Sequence, residues 1–476
     1  MASTRPSAEP AAVAGPAAPV PEAAVTEPAR DGAPSERRLP PGPRAPAIVQ
    51  TLAWALAPTW FMDRCAKRVG ECFTLTFFPS GMQMVVVGDP EAVKTVFTAP
   101  PDVAPSGAGN SPVAPVMGPH SVLVLTGPEH MRQRKLLLPP FHGERMREYE
   151  QVIADATRSD MAGWPVGAPM RLHERTRAIT LEVILRAVFG VEAERMDHVR
   201  EAVRALLVPP GSPLMIMRIA LSRPSLERPG GEFGRALDHL DAVIYEELDR
   251  RRSREDLAER TDILSLLMQA RDEDGEPMTD AELRDELVTL LLAGHETTAT
   301  SVAWAIERLV RHPDKLARLM AEIDAYPDAG EDYMTAVVNE TLRVRPVVPI
   351  VARVLREELQ VGPYTLPART RVTPSIYLTN RNPRVYAQPR EFRPERFLHS
   401  APETFSWIPF GGGIRRCIGA AFAQLEMKVM LRTVLAELEP TLPRGWRWRR
   451  GEWIRRRAIT LVPAAGTRVV WRRRSA

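Results

Sequence analysis

Apolar residues recur at three- and four-residue spacing through roughly two hundred residues after Glu129, as in 181–188 and 257–267, and this period predicts helices. The segment 279–311 reads as one long helix, opened by Thr279 with Glu282 three residues on, the pairing of a capping box. Two shorter stretches have another period. Residues 72–78 and 82–87 alternate and are rich in Val, Thr and Phe, with Ser80-Gly81 between them, which predicts a β-hairpin. Between Pro346 and Phe397, Pro, Gly and Asn punctuate short Val- and Thr-rich pieces, the pattern of a small sheet and a long irregular meander. A helical period returns over 420–438, and alternation in 458–463 and 468–471 predicts a terminal hairpin. The expected fold class is mainly α with a small β region, without internal repeats.

Composition changes this picture mainly at the front. Residues 1–34 hold eleven Ala and seven Pro with almost no large apolar side chains, too little to offset the entropy of ordering. A disordered tail is therefore expected over 1–38 and one domain over 39–476, entered through the stiff run Leu39-Pro40-Pro41-Gly42-Pro43. Pro16, Pro19, Pro21, Glu9 and Glu22 interrupt any apolar stretch of an export signal. The apolar segment 47–62, broken by Pro58, is shorter than the roughly 20 residues a bilayer requires. It is read as an amphipathic first helix, with peripheral membrane contact as the alternative. Three cysteines, Cys65, Cys72 and Cys417, make no disulfide framework and suit a reducing, cytoplasmic setting. Lys plus Arg number 63 against 59 for Asp plus Glu, a net charge of +4 that argues against a nucleic-acid partner.

One segment carries the chemistry: Phe410-Gly411-Gly412-Gly413-Ile414-Arg415-Arg416-Cys417-Ile418-Gly419, just before the last helical pattern. The glycines remove side chains where the backbone approaches a flat partner or takes positive φ, and Arg415 offers a fork to an acid. Cys417 stands at a helix start, where N–H groups and the dipole favour thiolate. A thiolate beside a planar, propionate-bearing ring is haem ligation of the kind that favours O–O cleavage. A second irregularity lies inside the long helix, where Ala293-Gly294-His295-Glu296-Thr297-Thr298 places a glycine and two β-branched residues. Position 299 is Ala, so His295 has no second histidine one turn on and a zinc site is excluded.

These strings resemble the cytochrome P450 superfamily, whose Phe-x-x-Gly-x-Arg-x-Cys-x-Gly pattern is met by Phe410, Gly413, Arg415, Cys417 and Gly419. The resemblance extends from the proline-rich entry to the end of the chain. It implies haem b as cofactor, Cys417 as axial thiolate, Arg415 on a propionate and Phe410 near the sulfur. It also implies that Gly294 lies on the distal side of the haem and that Glu296 and Thr297 supply protons during oxygen activation. His130 and Arg134, four apart on a helix, and Arg353 become further propionate partners. Glu340, Arg343 and Arg396, a weak surface-pair motif in isolation, become a buried structural lock.

The function implied is that of a monooxygenase inserting one atom of O2 into a lipophilic substrate, because the pocket segments 113–124, 206–221, 347–351 and 459–463 are apolar. No flavin or iron–sulfur module is visible, so electrons are expected from a separate ferredoxin and its NAD(P)H-dependent reductase. The resemblance places Arg132, Arg134, Lys135, Arg416 and Lys428 on the cysteine-loop side as a basic docking face. The alternatives are a peroxide-using or non-oxygenating haem-thiolate enzyme and a haem-binding sensor. The Glu296-Thr297 pair favours O2 over both. The seven arginines and three tryptophans of 444–457 are read as cover for a sheet.

Overall fold

The computed structural model describes residues 39–105, 107, 113–143, 145–190, 195–207, 229–326, 331–446 and 451–474. The chain divides into two units, Met1–Ser35 and Glu36–Ala476. The expected tail over 1–38 lies outside the described residues, as does most of the pocket segment 206–221. All elements below belong to the second unit.

Its helices are α1 (Ala47–Leu56), α2 (Pro58–Val69), α3 (Pro90–Thr98), α4 (Ala114–Met117), α5 (Gly127–Leu137), α6 (Arg145–Met161), α7 (Leu172–Val183) and α8 (Met196–Leu207). Then follow α9 (Gly231–Arg252), α10 (Ile263–Gln269), α11 (Asp280–Val310), α12 (Pro313–Ala325), α13 (Asp332–Val344), α14 (Ile376–Thr379) and α15 (Ala420–Glu437). The strands are β1 (Cys72–Phe77), β2 (Met82–Val87), β3 (Pro169–Arg171), β4 (Arg353–Val354), β5 (Leu359–Val361) and β6 (Tyr364–Leu366). They continue with β7 (Arg371–Pro374), β8 (Leu438–Thr441), β9 (Ile454–Arg457), β10 (Thr460–Pro463) and β11 (Arg468–Arg473).

Helix α11 is the axis of the fold. Its capping box forms as expected: Glu282 N–H donates to Thr279 Oγ1 (3.3 Å) and Thr279 N–H to Glu282 Oε2 (2.7 Å). From Leu283 onward most of its circumference is buried, against α7, α13 and α15 among others. A helix buried on all sides needs no polar face, which explains why its apolar pattern is dense rather than striped. The large core runs from Leu136 through α7, α11 and α15 to Trp471.

The predicted hairpin forms with Phe73 opposite Val86 and Leu75 opposite Met84. Strand β2 pairs in parallel with β7, whose other edge takes β4 antiparallel, so the sheet order is β1-β2-β7-β4 and Arg353 lies on its last strand. The terminal hairpin differs from expectation. It lies between β9 and β10, with Ala458 at φ 51° in the turn, whereas β11 pairs with β3 and β8. The alternation of β11 buries Val469 and Trp471 in the helical core, with Trp471 5.2 Å from the Trp164 ring, and that burial decides its partner. Trp304 Nε1 donates to the Leu461 carbonyl (3.1 Å), which fixes the β9–β10 hairpin along α11.

Candidate functional site

The cysteine loop is pressed against the end of α3. A Cβ on Gly413, which takes φ 65°, would lie 2.1 Å from the Phe97 carbonyl oxygen, so only glycine fits there. Cys417 N–H closes the loop onto the Phe410 carbonyl (2.9 Å), and the half-buried Phe410 ring stands edge-on to Trp407 at 6.0 Å. Gly419 is different. Its φ is −81° and a Cβ there would meet nothing within 4 Å, so the protein's own packing does not require glycine. What surrounds the Cβ position of Gly419, two residues past Cys417, is open space.

Cys417 is exposed, yet burial pushes its thiol above the usual range. The two observations together describe a side chain at the floor of a concavity. The Gly419 N–H, Arg134 and Arg416 act in the opposite direction, favouring thiolate, but desolvation is the larger influence. The N–H group at the helix start favours thiolate as expected, and burial outweighs it. A metal replaces the thiol proton and reverses that balance.

Four donors gather beside the loop. His130 from α5 is buried and held neutral down to about pH 4, first by burial and then by Arg415, Arg134 and Arg353. Burial also lowers Arg353 and Arg415 to about 10, and Arg415 is lowered further by Arg353 and Arg134. No carboxylate pairs with Arg134, Arg353 or Arg415 among the described residues. Arg415 donates instead to the carbonyls of Val122 (3.0 Å) and Leu125, and Arg353 to its neighbour Ala352 (3.0 Å) while lying over the Phe97 ring. His130, Arg353 and Arg415 line a cleft with Phe97, Thr126 and Gly127. Desolvated cations held together without an acid fit a ligand that brings anions of its own. With an accessible thiol and the free space at Gly419, the donor set fits a haem with two propionates.

Across α11, Ala293 is the one exposed residue from Leu283 onward and shares a face with the half-buried Thr297. Thr297 Oγ1 donates back to the Ala293 carbonyl (2.6 Å), and a Cβ on Gly294 would come 3.3 Å from Ile184 Cδ1. Glu296 turns the other way. Its carboxylate meets Arg177 Nε of α7 at 2.8 Å, Arg457 Nη1 of β9 at 3.4 Å and His173 Nε2 at 3.6 Å. His173 is lowered to about 3 by burial and by Arg177 and Arg457, so the two arginines are the cationic partners. Sequence reasoning missed this anchoring; Arg457 was visible only as one of many arginines assigned to covering a sheet. It also missed Glu426 of α15, a fully buried acid pushed up to about 8 by desolvation and hydrogen-bonded to Thr298.

The remaining clusters are structural. Glu340 takes Arg343 Nε (2.7 Å) and Nη2 (2.8 Å), Arg396 Nε (3.2 Å) and the Arg393 N–H (2.7 Å). The basic docking face is largely spent. Arg132 pairs with Asp272 (2.5 Å) and Glu282 (2.6 Å), Lys135 with Glu273 (2.6 Å), and Lys428 with Glu331. Arg134 is desolvated beside Cys417, which leaves Arg416 as the exposed member with no ion pair among the described residues.

Comparison with known proteins gives a family and a fold. The family model for cytochrome P450 matches residues 40–450. A putative cytochrome P450 137 of Mycobacterium tuberculosis is 41% identical over 451 residues, covering 93% of each chain. A putative cytochrome P450 135B1 of Mycobacterium bovis is 40% identical over 442 residues, covering 91% of this chain and 92% of that one. Among solved structures, the cytochrome P450DA heme domain superposes with a TM-score of 0.79 at 21% identity, over 92% of this chain and 98% of that one. Retinoic acid bound cyanobacterial CYP120A1 gives a TM-score of 0.75 at 23% identity, over 92% and 99%.

Proposed function

The chain belongs to the cytochrome P450 family, a haem-thiolate monooxygenase in the general sense of that family, and from this premise we propose how its own residues serve the reaction. Residues 39–476 form the catalytic domain. The Cys417 thiolate holds haem b, with Gly413 and Gly419 leaving room for the ring and Phe410 flanking the sulfur. His130, Arg134, Arg353 and Arg415 receive the propionates. The observation that carries this reading is the set of desolvated cations without an acid beside an accessible thiol.

Bound haem supplies the redox chemistry, using O2, two electrons and two protons to oxygenate a substrate and release one water. The protein's part is proton handling and exclusion of bulk water. Thr297 lies on the exposed face of α11 beside Gly294, its hydroxyl bonded to the Ala293 carbonyl and able to hold a water. Glu296, one residue before it, faces Arg177 and Arg457 and connects the helix to a proton source outside. The substrate is lipophilic, since the described parts of the segments around it are apolar. The electrons come from a separate ferredoxin and its NAD(P)H-dependent reductase, and α1 touches a membrane surface. No helix among the described residues is long and apolar enough to cross a membrane.

Coupling tests the proton assignment. Thr297→Ala is expected to keep its haem and to consume NAD(P)H and O2 through the redox partners. Product per electron pair falls and hydrogen peroxide accumulates, because protons arrive without control. Full coupling in this variant would remove Thr297 from the proton path, leaving it as a residue whose hydroxyl merely bonds back within the helix.

A further inference from the structure

The first helix is inverted relative to an ordinary surface helix. Helix α1 buries Gln50 and Trp54 and exposes Ile48, Val49, Leu52 and Leu56, each between 47% and 77% accessible. Gln50 is satisfied inside, donating to the Ala45 carbonyl (2.8 Å) and accepting the Thr76 N–H (2.9 Å). The helix contains no charged residue. Phe78 joins the same surface, because its N–H donates to Thr51 Oγ1 of α1 (2.9 Å) while its ring is 53% exposed. Thr51 Oγ1 also bonds to the Ala47 carbonyl (2.9 Å), so the exposed stripe offers no free hydrogen-bonding side chain.

Helix α2 follows α1 directly in the chain and packs against it, and its exposed residues are of another kind. Trp60, Arg64, Lys67 and Arg68 fall at i, i+4, i+7 and i+8 on its exposed side, and Arg64 lies over the Trp60 ring at 5.4 Å. The acids nearby are engaged elsewhere: Asp63 with Arg390 (2.9 Å) and Glu71 with Arg384. Arg64, Lys67 and Arg68 have no carboxylate partner among the described residues. Aliphatic residues, then tryptophan, then free cations is the order of groups that an interfacial helix presents with depth.

We propose that α1, with Phe78 and the Trp60-to-Arg68 face of α2, docks on an anionic lipid surface. This deepens the membrane contact included in the proposed function and names its chemistry. A protein partner would be read through hydrogen bonds spaced across the interface, and the α1 stripe has none to give. Hydrocarbon makes no such demand, and the cations at its rim are placed for lipid phosphates.

The holoenzyme, as the full chain, is floated with vesicles of equal phosphatidylglycerol and phosphatidylcholine and with phosphatidylcholine alone. Binding is expected to the anionic vesicles and to weaken by about tenfold or more in Leu52→Glu/Leu56→Glu and again in Arg64→Glu/Lys67→Glu/Arg68→Glu. Both variants change exposed side chains, and an unchanged thermal midpoint and haem spectrum verify that they fold. Four results would overturn the proposal. Absence of binding, or binding indifferent to both variants, removes the lipid face. A concentration-dependent dimer abolished by Leu52→Glu/Leu56→Glu assigns the face to a second copy. Binding that appears only after removal of residues 1–38 assigns it to the chain's own tail. None of these readouts involves turnover, so each leaves the monooxygenase reading intact.

Discussion

Among the buried and half-buried arginine clusters of this protein, two are built on opposite principles. In the first, Arg343 is inaccessible to solvent and fully used: two nitrogens meet Glu340, and the remaining bonds go to the carbonyls of Asn380 (2.9 Å), Pro389 (2.8 Å) and Glu391 (3.0 Å). Its charge is cancelled where it stands. In the second, Arg353, Arg415 and Arg134 surround neutral His130; Arg353 and Arg415 donate to backbone carbonyls, and none of the three pairs with an acid among the described residues. The difference separates a lock from a ligand site. A balanced cluster has finished its electrostatics within the chain, whereas an unbalanced one is completed by what it binds.

The contrast breaks if the two clusters respond alike to loss of a cation. Arg343→Ala leaves Glu340 charged and buried, and a loss of about 3–5 kcal/mol is expected in chemical unfolding; an unchanged midpoint would make the lock ornamental. Arg353→Gln should do the reverse. The haem-free protein stays as stable or gains slightly, because a repelled cation is gone, while haem affinity falls about 10- to 100-fold, the value of one charge-assisted hydrogen bond. Equal destabilisation by both substitutions would erase the distinction.

Acid sharpens it. His130 is lowered to about 4, and His173 and His295 to about 3, against an ordinary value of 6.5. The unfolded chain therefore binds more protons below pH 6.5, and stability falls as pH drops from 6.5 toward 4 and then 3. His130→Gln is expected to flatten part of this fall in a thermal-midpoint series; an unaltered slope would place His130 in contact with solvent. The smallest effects belong to the surface cations. Lys135→Gln and Lys428→Gln, each removing one member of an existing ion pair, should leave ferredoxin-limited reduction within about twofold. Arg416→Glu should slow it more than either, and the opposite ranking would restore the wider basic face.

Much of this was legible in the sequence, and what was not has a common cause. The glycine-bracketed Cys417, the hairpin over β1 and β2 and the Thr279–Glu282 cap are local, with every determinant within about ten residues of the next. Charge compensation is not local. Glu340 reaches 53 residues to the Arg393 N–H, Arg457 reaches 161 to Glu296, and Arg132 reaches 140 to Asp272. No period in the chain records such pairings, so the exposed docking face inferred from Arg132, Lys135 and Lys428 dissolved into ion pairs. The pairing of β11 failed for the same reason, since burial of Trp471 in a distant core outweighed its neighbours in sequence.

The central claim is that Cys417 is the thiolate for which the loop, the cation cluster and the space at Gly419 are built. Its direct measurement is the absorption spectrum of the reduced, haem-loaded protein under carbon monoxide. The wild-type chain is expected to show the long-wavelength band characteristic of thiolate-ligated haem, and Cys417→Ser to lose that band. The same band at full intensity in Cys417→Ser would contradict the account.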